Sequence, residues 1–490
     1  SVDFGLVPAV SFTVLSDTEI TAVAPTRTGT AAVTVTGVGG TSDAVVYTFV
    51  PAPTLVALDP DSGPETGGNT VTLVGVDLAG ASAVHFGGTP ATSFTVVSDT
   101  EITAVAPAGS GTVAVTVTTA GGAGNGVAYV YVPAPTLATV VPGSGPETGG
   151  NIVTLTGADL TSTTAVHFGA ESSAFTVISD SEISATAPPG AGVVGVTVTT
   201  AGGTSNPVAY AYVPAPTLAS VVPDSGPTTG GNTVVLTGTG FTGATTVNIG
   251  ANAAVSFTVV SDSQISAVIP AEVAGTVTVV VTAIGGTSNG VLYTYIPAPT
   301  LTAVAPSAGP VTGGNTVVLD GTGFTGATSV RFGATPATSY TVVSDTQISA
   351  VVPARPAGAV AVTVTTVGGT SNGVVYTYVA APTLSSVVPG SGPVSGGNTV
   401  TLTGSRFTGT TAVRFGANTA VSFTVVSDSQ ISAVVPAGTV GPVAVTVTTV
   451  GGVSNGVSYT YVAAPTLSSV VPGSGPVSGG NTVTLTGSRF

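Results

Sequence analysis

Apolar and polar residues alternate with a period of two in short bursts along the whole chain, and nowhere with the period of a helix. In Ala359–Thr366, Val360, Val362 and Val364 share one face, and Ala361, Thr363 and Thr365 share the other. Gly, Pro, Asn, Asp or Ser separate one burst from the next. Over residues 297–379 the pattern predicts strands at Thr300–Val304, Thr316–Asp320, Ser329–Phe332, Ser339–Val343, Gln347–Val352, Ala359–Thr366 and Gly373–Val379. Seven short half-buried strands in one such stretch predict an immunoglobulin-like β-sandwich, so the fold class expected is all-β.

That pattern repeats. The stretch GPVTGGNTVVLDGTGF, Gly309–Phe324, recurs with small changes from Gly63, Gly145, Gly226, Gly392 and Gly475, at spacings of 81 to 83 residues. A fixed period of this size predicts a tandem array in which each repeat is one structural unit. The expected modules are 51–132, 133–213, 214–296, 297–379 and 380–462. Residues 1–50 read as the C-terminal portion of a module and 463–490 as the N-terminal portion of another. Successive modules meet at YVPAPTL, Tyr131–Leu137 and its equivalents, where Pro133 and Pro135 restrict the backbone; Ala380 and Ala463 replace the first proline of the last two joints. Such joints predict stiff, nearly end-to-end modules, each adding roughly 35–40 Å.

The last 28 residues repeat 380–407 without change. Two readings follow. The sequence is a window on a longer continuous array, or the two partial modules complete one another between copies, since together they lack only the equivalents of Thr408–Thr411.

Composition narrows the partners. Only 6% of the 490 residues are charged, Lys is absent, and the net charge is −15. Nucleic acid is excluded as a partner, because phosphate contacts need clusters of Lys and Arg. The charge is uneven: residues 1–245 hold sixteen acids and one Arg, and residues 246–490 five of each. Cys is absent, so neither disulfides nor thiolate metal sites form, and no apolar run is long enough to span a membrane as a helix. There is no N-x-S/T acceptor for N-linked sugar.

Four motifs recur together: P-x-S-G-P-x-x-G-G-N-T-V-x-L-x-G, V-x-F-G, S-D-[ST]-[EQ]-I-[ST]-A-x-x-P and V-x-V-T-x-x-G-G-x-S-N. In this combination the chain resembles the IPT/TIG family of immunoglobulin-like domains. The resemblance implies early-set immunoglobulin sandwiches with no catalytic motif. It also implies a setting among cell-surface receptors, transcription factors, accessory domains of carbohydrate-active enzymes or tandem bacterial surface arrays. Unbroken repetition and the lack of basic loops place the chain with the surface arrays.

Candidate chemistry is sparse. His85 and His167 lie between inward Val and Phe of V-x-F-G, at a position that is Asp3, Asn248, Arg331 or Arg414 elsewhere, which reads as a solvated face. Asp99 with Glu101, and Asp180 with Glu182, resemble paired carboxylates. Every copy keeps the Asp (Asp17, Asp99, Asp180, Asp262, Asp345, Asp428) while Glu becomes Gln264, Gln347 or Gln430. The Asp therefore reads as a turn residue bonding its own backbone two residues on. Asp59, Asp61 and Asp224 flank joints where calcium would sit, but the later joints carry no acid. GPETGGN at Gly63–Asn69 and GTGF at Gly238–Phe241 lack the following helix and the lysine of a phosphate cradle. No catalytic, cofactor-binding or metal-binding residue is assigned.

Threonine-rich strands such as Thr446–Thr449 present flat Thr-lined faces. These read as ice-binding, as ordinary wet strand faces, or as faces covered by other copies or O-linked sugar. The expected protein is a non-enzymatic, extracellular structural array, a surface fibre or adhesin stalk, whose partners are other copies of itself. The alternative is a carbohydrate- or protein-binding adhesion array.

Overall fold

The computed structural model describes residues 1–490. Contacts divide the chain into two compact units. One holds Ser1–Thr217 with Thr242–Thr245 and Thr282–Ser288; the other holds Leu218–Phe241, Thr246–Val281 and Asn289–Phe490. Every regular element is a strand. Module 297–379, which lies in the second unit, serves as the type.

Its strands are β1 (Thr300–Ala305), β2 (Ala308–Pro310), β3 (Thr316–Thr322), β4 (Ser329–Phe332), β5 (Thr335–Pro336), β6 (Ser339–Ser344), β7 (Gln347–Val351), β8 (Gly358–Thr366), β9 (Gly369–Thr370) and β10 (Val374–Val379). The seven expected strands all form, with ends within two residues of expectation. Three short ones, β2, β5 and β9, were not expected, because two or three residues are too few to show alternation. A four-stranded sheet runs β1-β3-β7-β6, and a six-stranded sheet runs β2-β10-β8-β4-β5 with β9 on β8. The two sheets make the expected sandwich.

The period-two pattern becomes the core directly. Val317 pairs with Ala350 and Leu319 with Ile348 in one sheet, and all four are buried. Val362 and Val364 face them from β8, opposite Phe332 and Val330 of β4. Phe332, Tyr376 and Tyr378 stack edge to face, at centroid distances of 5.3 and 5.0 Å. Aromatic pairs in this geometry are favourable beyond the area they bury. Both tyrosines are at most 1% exposed, so they are core residues with a polar tip.

β1 and β2 form one extended segment that changes sheet. β1 pairs antiparallel with β3, and β2 pairs parallel with β10, with a cis Ala305–Pro306 bond between them. The end segments 1–50 and 463–490 are thinner. Val2, Phe4 and Ala31 form a small core in residues 1–50, and Thr466–Val471 pairs only with Thr484–Ser488.

Candidate functional site

The side chains with chemical capacity recur at fixed positions, and most are occupied in holding a module together. After the Gly313–Gly314 turn, at φ 60 and 82°, Asn315 leads into β3. Its Nδ2 donates to the hydroxyl of Tyr376 at 3.1 Å. Asn69 with Tyr129, Asn151 with Tyr210, Asn232 with Tyr293 and Asn398 with Tyr459 repeat the contact at 2.8 to 3.1 Å. A Cβ on Gly309 would collide with the same hydroxyl, which explains glycine at the head of the repeated stretch.

A second Asn staples the first strand. Leu301 N donates to Asn372 Oδ1 at 3.0 Å, and Asn372 Nδ2 donates back to Leu301 O at 2.7 Å. One amide thus does the work of a strand neighbour. The Leu55–Asn125 and Leu384–Asn455 pairs copy it.

The second tyrosine of each last strand bonds a loop carbonyl: Tyr131 to Pro107 O at 2.8 Å, Tyr295 to Pro270 O at 2.9 Å and Tyr461 to Pro436 O at 2.8 Å. Tyr378 differs, because its buried hydroxyl has no hydrogen-bond partner. Burial, reinforced by the neighbouring tyrosine, pushes the phenols of Tyr295 and Tyr378 up to about 12.

The repeated Asp does not close its own turn. The serine before it does: Ser344 Oγ accepts from Thr346 N at 3.2 Å. Asp345 instead reaches the loop after β3. It accepts from Thr325 Oγ1 at 2.8 Å, Thr325 N at 3.2 Å and Gly323 N at 3.1 Å. Asp428 does the same with Thr408 and Arg406 N, and Asp180 with Thr161. The threonine hydroxyl bond comes first among the causes that lower the carboxyl pKa of Asp180, Asp345 and Asp428. The expected Asp turn was wrong because the partner loop, about 20 residues earlier, is near only once β3 and β7 pair.

The other candidates stay apart. His85 and His167 are half-buried on the outward side of their strands, while Arg331 and Arg414 at that position are exposed. Asp61 and Asp224 use backbone carbonyls to accept from Val130 and Thr294. No group of three or more His, Cys, Asp and Glu side chains is gathered as a metal ion requires. Thr365 and Thr370 share a hydroxyl bond at 3.0 Å, so part of the threonine face is internally paired.

Several crevices are open to solvent, two of them over 500 Å³. One, of about 510 Å³, is lined by Phe415, Asn418, Thr439 and Tyr461. The other, of about 560 Å³, lies at a joint in the second unit and is lined by Ser225, Ile296, Pro297, Gly323 and Val367. There a Cβ on Gly368 would collide with the carbonyl of Pro297, so that glycine lets the joint segment pass close to the β8–β9 turn.

No curated protein is similar to the chain. Among solved structures it is similar to the extracellular region of plexin A4, at 14% identity and TM-score 0.27, covering 87% of this chain and 52% of that one. It therefore spans about half the length of that plexin region. It is also similar to invasin, a bacterial integrin-binding protein, at 19% identity and TM-score 0.24 over 68% of this chain and 82% of that one. A third is a Bacteroides ovatus glucan-utilisation protein bound to a mixed-linkage heptasaccharide, at 16% identity and TM-score 0.18, covering 51% of this chain and 68% of that one. The sequence matches the IPT/TIG domain five times in succession, at 53–131, 135–212, 216–295, 299–378 and 382–461, and the chain belongs to that family.

Proposed function

We propose that this chain is a non-enzymatic structural array of the extracellular surface, the repeating body of a fibre or adhesin stalk that associates with copies of itself. One observation carries the reading. The polar side chains that recur in every complete module, the two Asn and the first Tyr of the last strand, bond to one another or to the module's own backbone. Repetition has kept the groups that hold a module together, while the outward strand position drifts through Asp, His, Asn and Arg. A scaffold requires the first and is indifferent to the second.

Electron microscopy of the purified chain, with sedimentation velocity, tests this. Fibres or defined oligomers are expected. A monomer at every concentration that binds a glycan or a protein ligand would replace the fibre with the adhesion-module reading.

A further inference from the structure

Each module leaves one long sheet edge with no charge, proline or cover. An edge strand carries unpaired backbone N–H and C=O groups, which folded proteins blunt with charge, proline, bulges, brevity or a cover. In module 297–379 three edges are blunted: β2 and β5 are two or three residues long and end in proline, and on β1 the Asn372 amide takes both the N–H and the C=O of Leu301. β6 has only a bulge near its end. It forms the outer end of the four-stranded sheet, and its six residues, SYTVVS, include no charge, proline or glycine.

The same strand is SFTVLS at Ser11–Ser16, FTVIS at Phe175–Ser179, and SFTVVS at Ser93–Ser98, Ser256–Ser261 and Ser422–Ser427. Each carries a bulge in its last third, for example between Val342 and Ser344. The bulged residue is Leu15, Val97, Ile178, Val260, Val343 or Val426, and each is 57–60% exposed. A bulge re-aims one side chain out of the strand. Here the re-aimed side chain is a branched aliphatic in all six copies, although water makes no such demand of an exposed position.

One strand is too small an interface. Six residues span about 20 Å and a sheet is about 10 Å deep, so one edge pair buries about 400 Å² in total, and three in register reach about 1,200 Å², the lower limit of stable interfaces. A partner must therefore offer uncharged edges at the same interval. A second copy of this chain does, because its edge strands start 83 residues apart at Ser256, Ser339 and Ser422. Residues 246–490 hold five acids and five Arg, so two copies do not repel there.

We propose that Ser256–Ser261, Ser339–Ser344 and Ser422–Ser427 join two copies of this chain edge to edge, with Val260, Val343 and Val426 covered in the contact. The proposal rests on the self-associating array above and names its surface. Lysine at the three bulges supplies the charge that natural edges use. The full chain carrying Val260→Lys, Val343→Lys and Val426→Lys is compared by sedimentation velocity with the unaltered chain. A control carries Leu292→Lys, Val375→Lys and Val388→Lys, which are similarly exposed and add the same charge. Circular dichroism checks that all three are folded. The bulge variant is expected to associate at least about tenfold more weakly, the control as tightly as the unaltered chain. If the unaltered chain stays monomeric, the self-association reading fails and this contact with it. If it associates and the bulge variant does so equally well, or the control weakens as much, the edge contact is wrong and the array associates by another surface.

Discussion

Asn69 and Tyr129, 60 residues apart, exchange two hydrogen bonds: Asn69 Nδ2 donates to the Tyr129 hydroxyl at 2.8 Å, and that hydroxyl donates to Asn69 Oδ1 at 3.0 Å. The pair ties the Gly-Gly turn to the last strand, inside a core where Tyr129 is fully buried. Replacing Asn398, its counterpart in the last complete module, by Ala strands the buried Tyr459 hydroxyl. The expected loss is about 1–3 kcal/mol. Hydrogen exchange in the full chain should show residues 380–462 opening first; unchanged protection there would show that the pair contributes little.

Tyr461 and Tyr378 occupy the same position, but only the Tyr461 hydroxyl has a hydrogen-bond partner. Tyr461→Phe removes a bond to Pro436 O and should cost about 1 kcal/mol. Tyr378→Phe removes a buried hydroxyl that has no partner, so it should be neutral or stabilising. Urea titration of the two variants distinguishes them by the sign of the change.

The tyrosines also predict alkaline behaviour. Burial raises Tyr295 and Tyr378 from 10.0 to about 12, favouring the neutral phenol in the folded state. The unfolded chain deprotonates first. Their contribution is thus complete below pH 10 and is lost between about pH 10 and 12. Thermal melts across that window should fall in Tm, and Tyr378→Phe should reduce the slope.

At low pH the sign reverses. Asp180, Asp345 and Asp428 have lowered carboxyl pKa values, first through the threonine hydroxyl bond. Their contribution is present above the unfolded carboxylate value of about 3.9 and is lost as pH falls through the lower folded one. Asp345→Asn together with Asp428→Asn should flatten the acid limb of the Tm profile. An unchanged limb would assign acid sensitivity to other carboxylates.

Arg406 adopts φ 60°, where the corresponding Gly240 and Gly323 adopt 73°. A side chain in this left-handed region costs about 1–2 kcal/mol. Arg406→Gly keeps the backbone N–H that donates to Asp428 and should stabilise its module by about 1 kcal/mol, offset in part by greater unfolded-state freedom. A lower Tm would show that the Arg406 side chain contributes more than its backbone costs.

The sequence by itself determined the period, the seven longer strands of a module and the side each of them turns inward. These depend on residues a few positions apart: Val317 and Leu319 alternate with polar neighbours wherever the strand lies, and Gly313–Gly314 make their turn unaided. It also showed Phe332 as a core anchor, because V-x-F-G places Val330 and Phe332 on one face. Only the tertiary structure decided what the polar groups hold. Asn315 meets Tyr376 across 61 residues, and Asp345 passes over its own turn for Thr325, because the sheet order brings those strands and loops together and no local pattern encodes that order. The exposed edge at Ser339–Ser344 has the same origin. Its alternation resembles that of an inner strand, and its place beside β7 alone, with nothing on its other side, exists only once the sheet has formed.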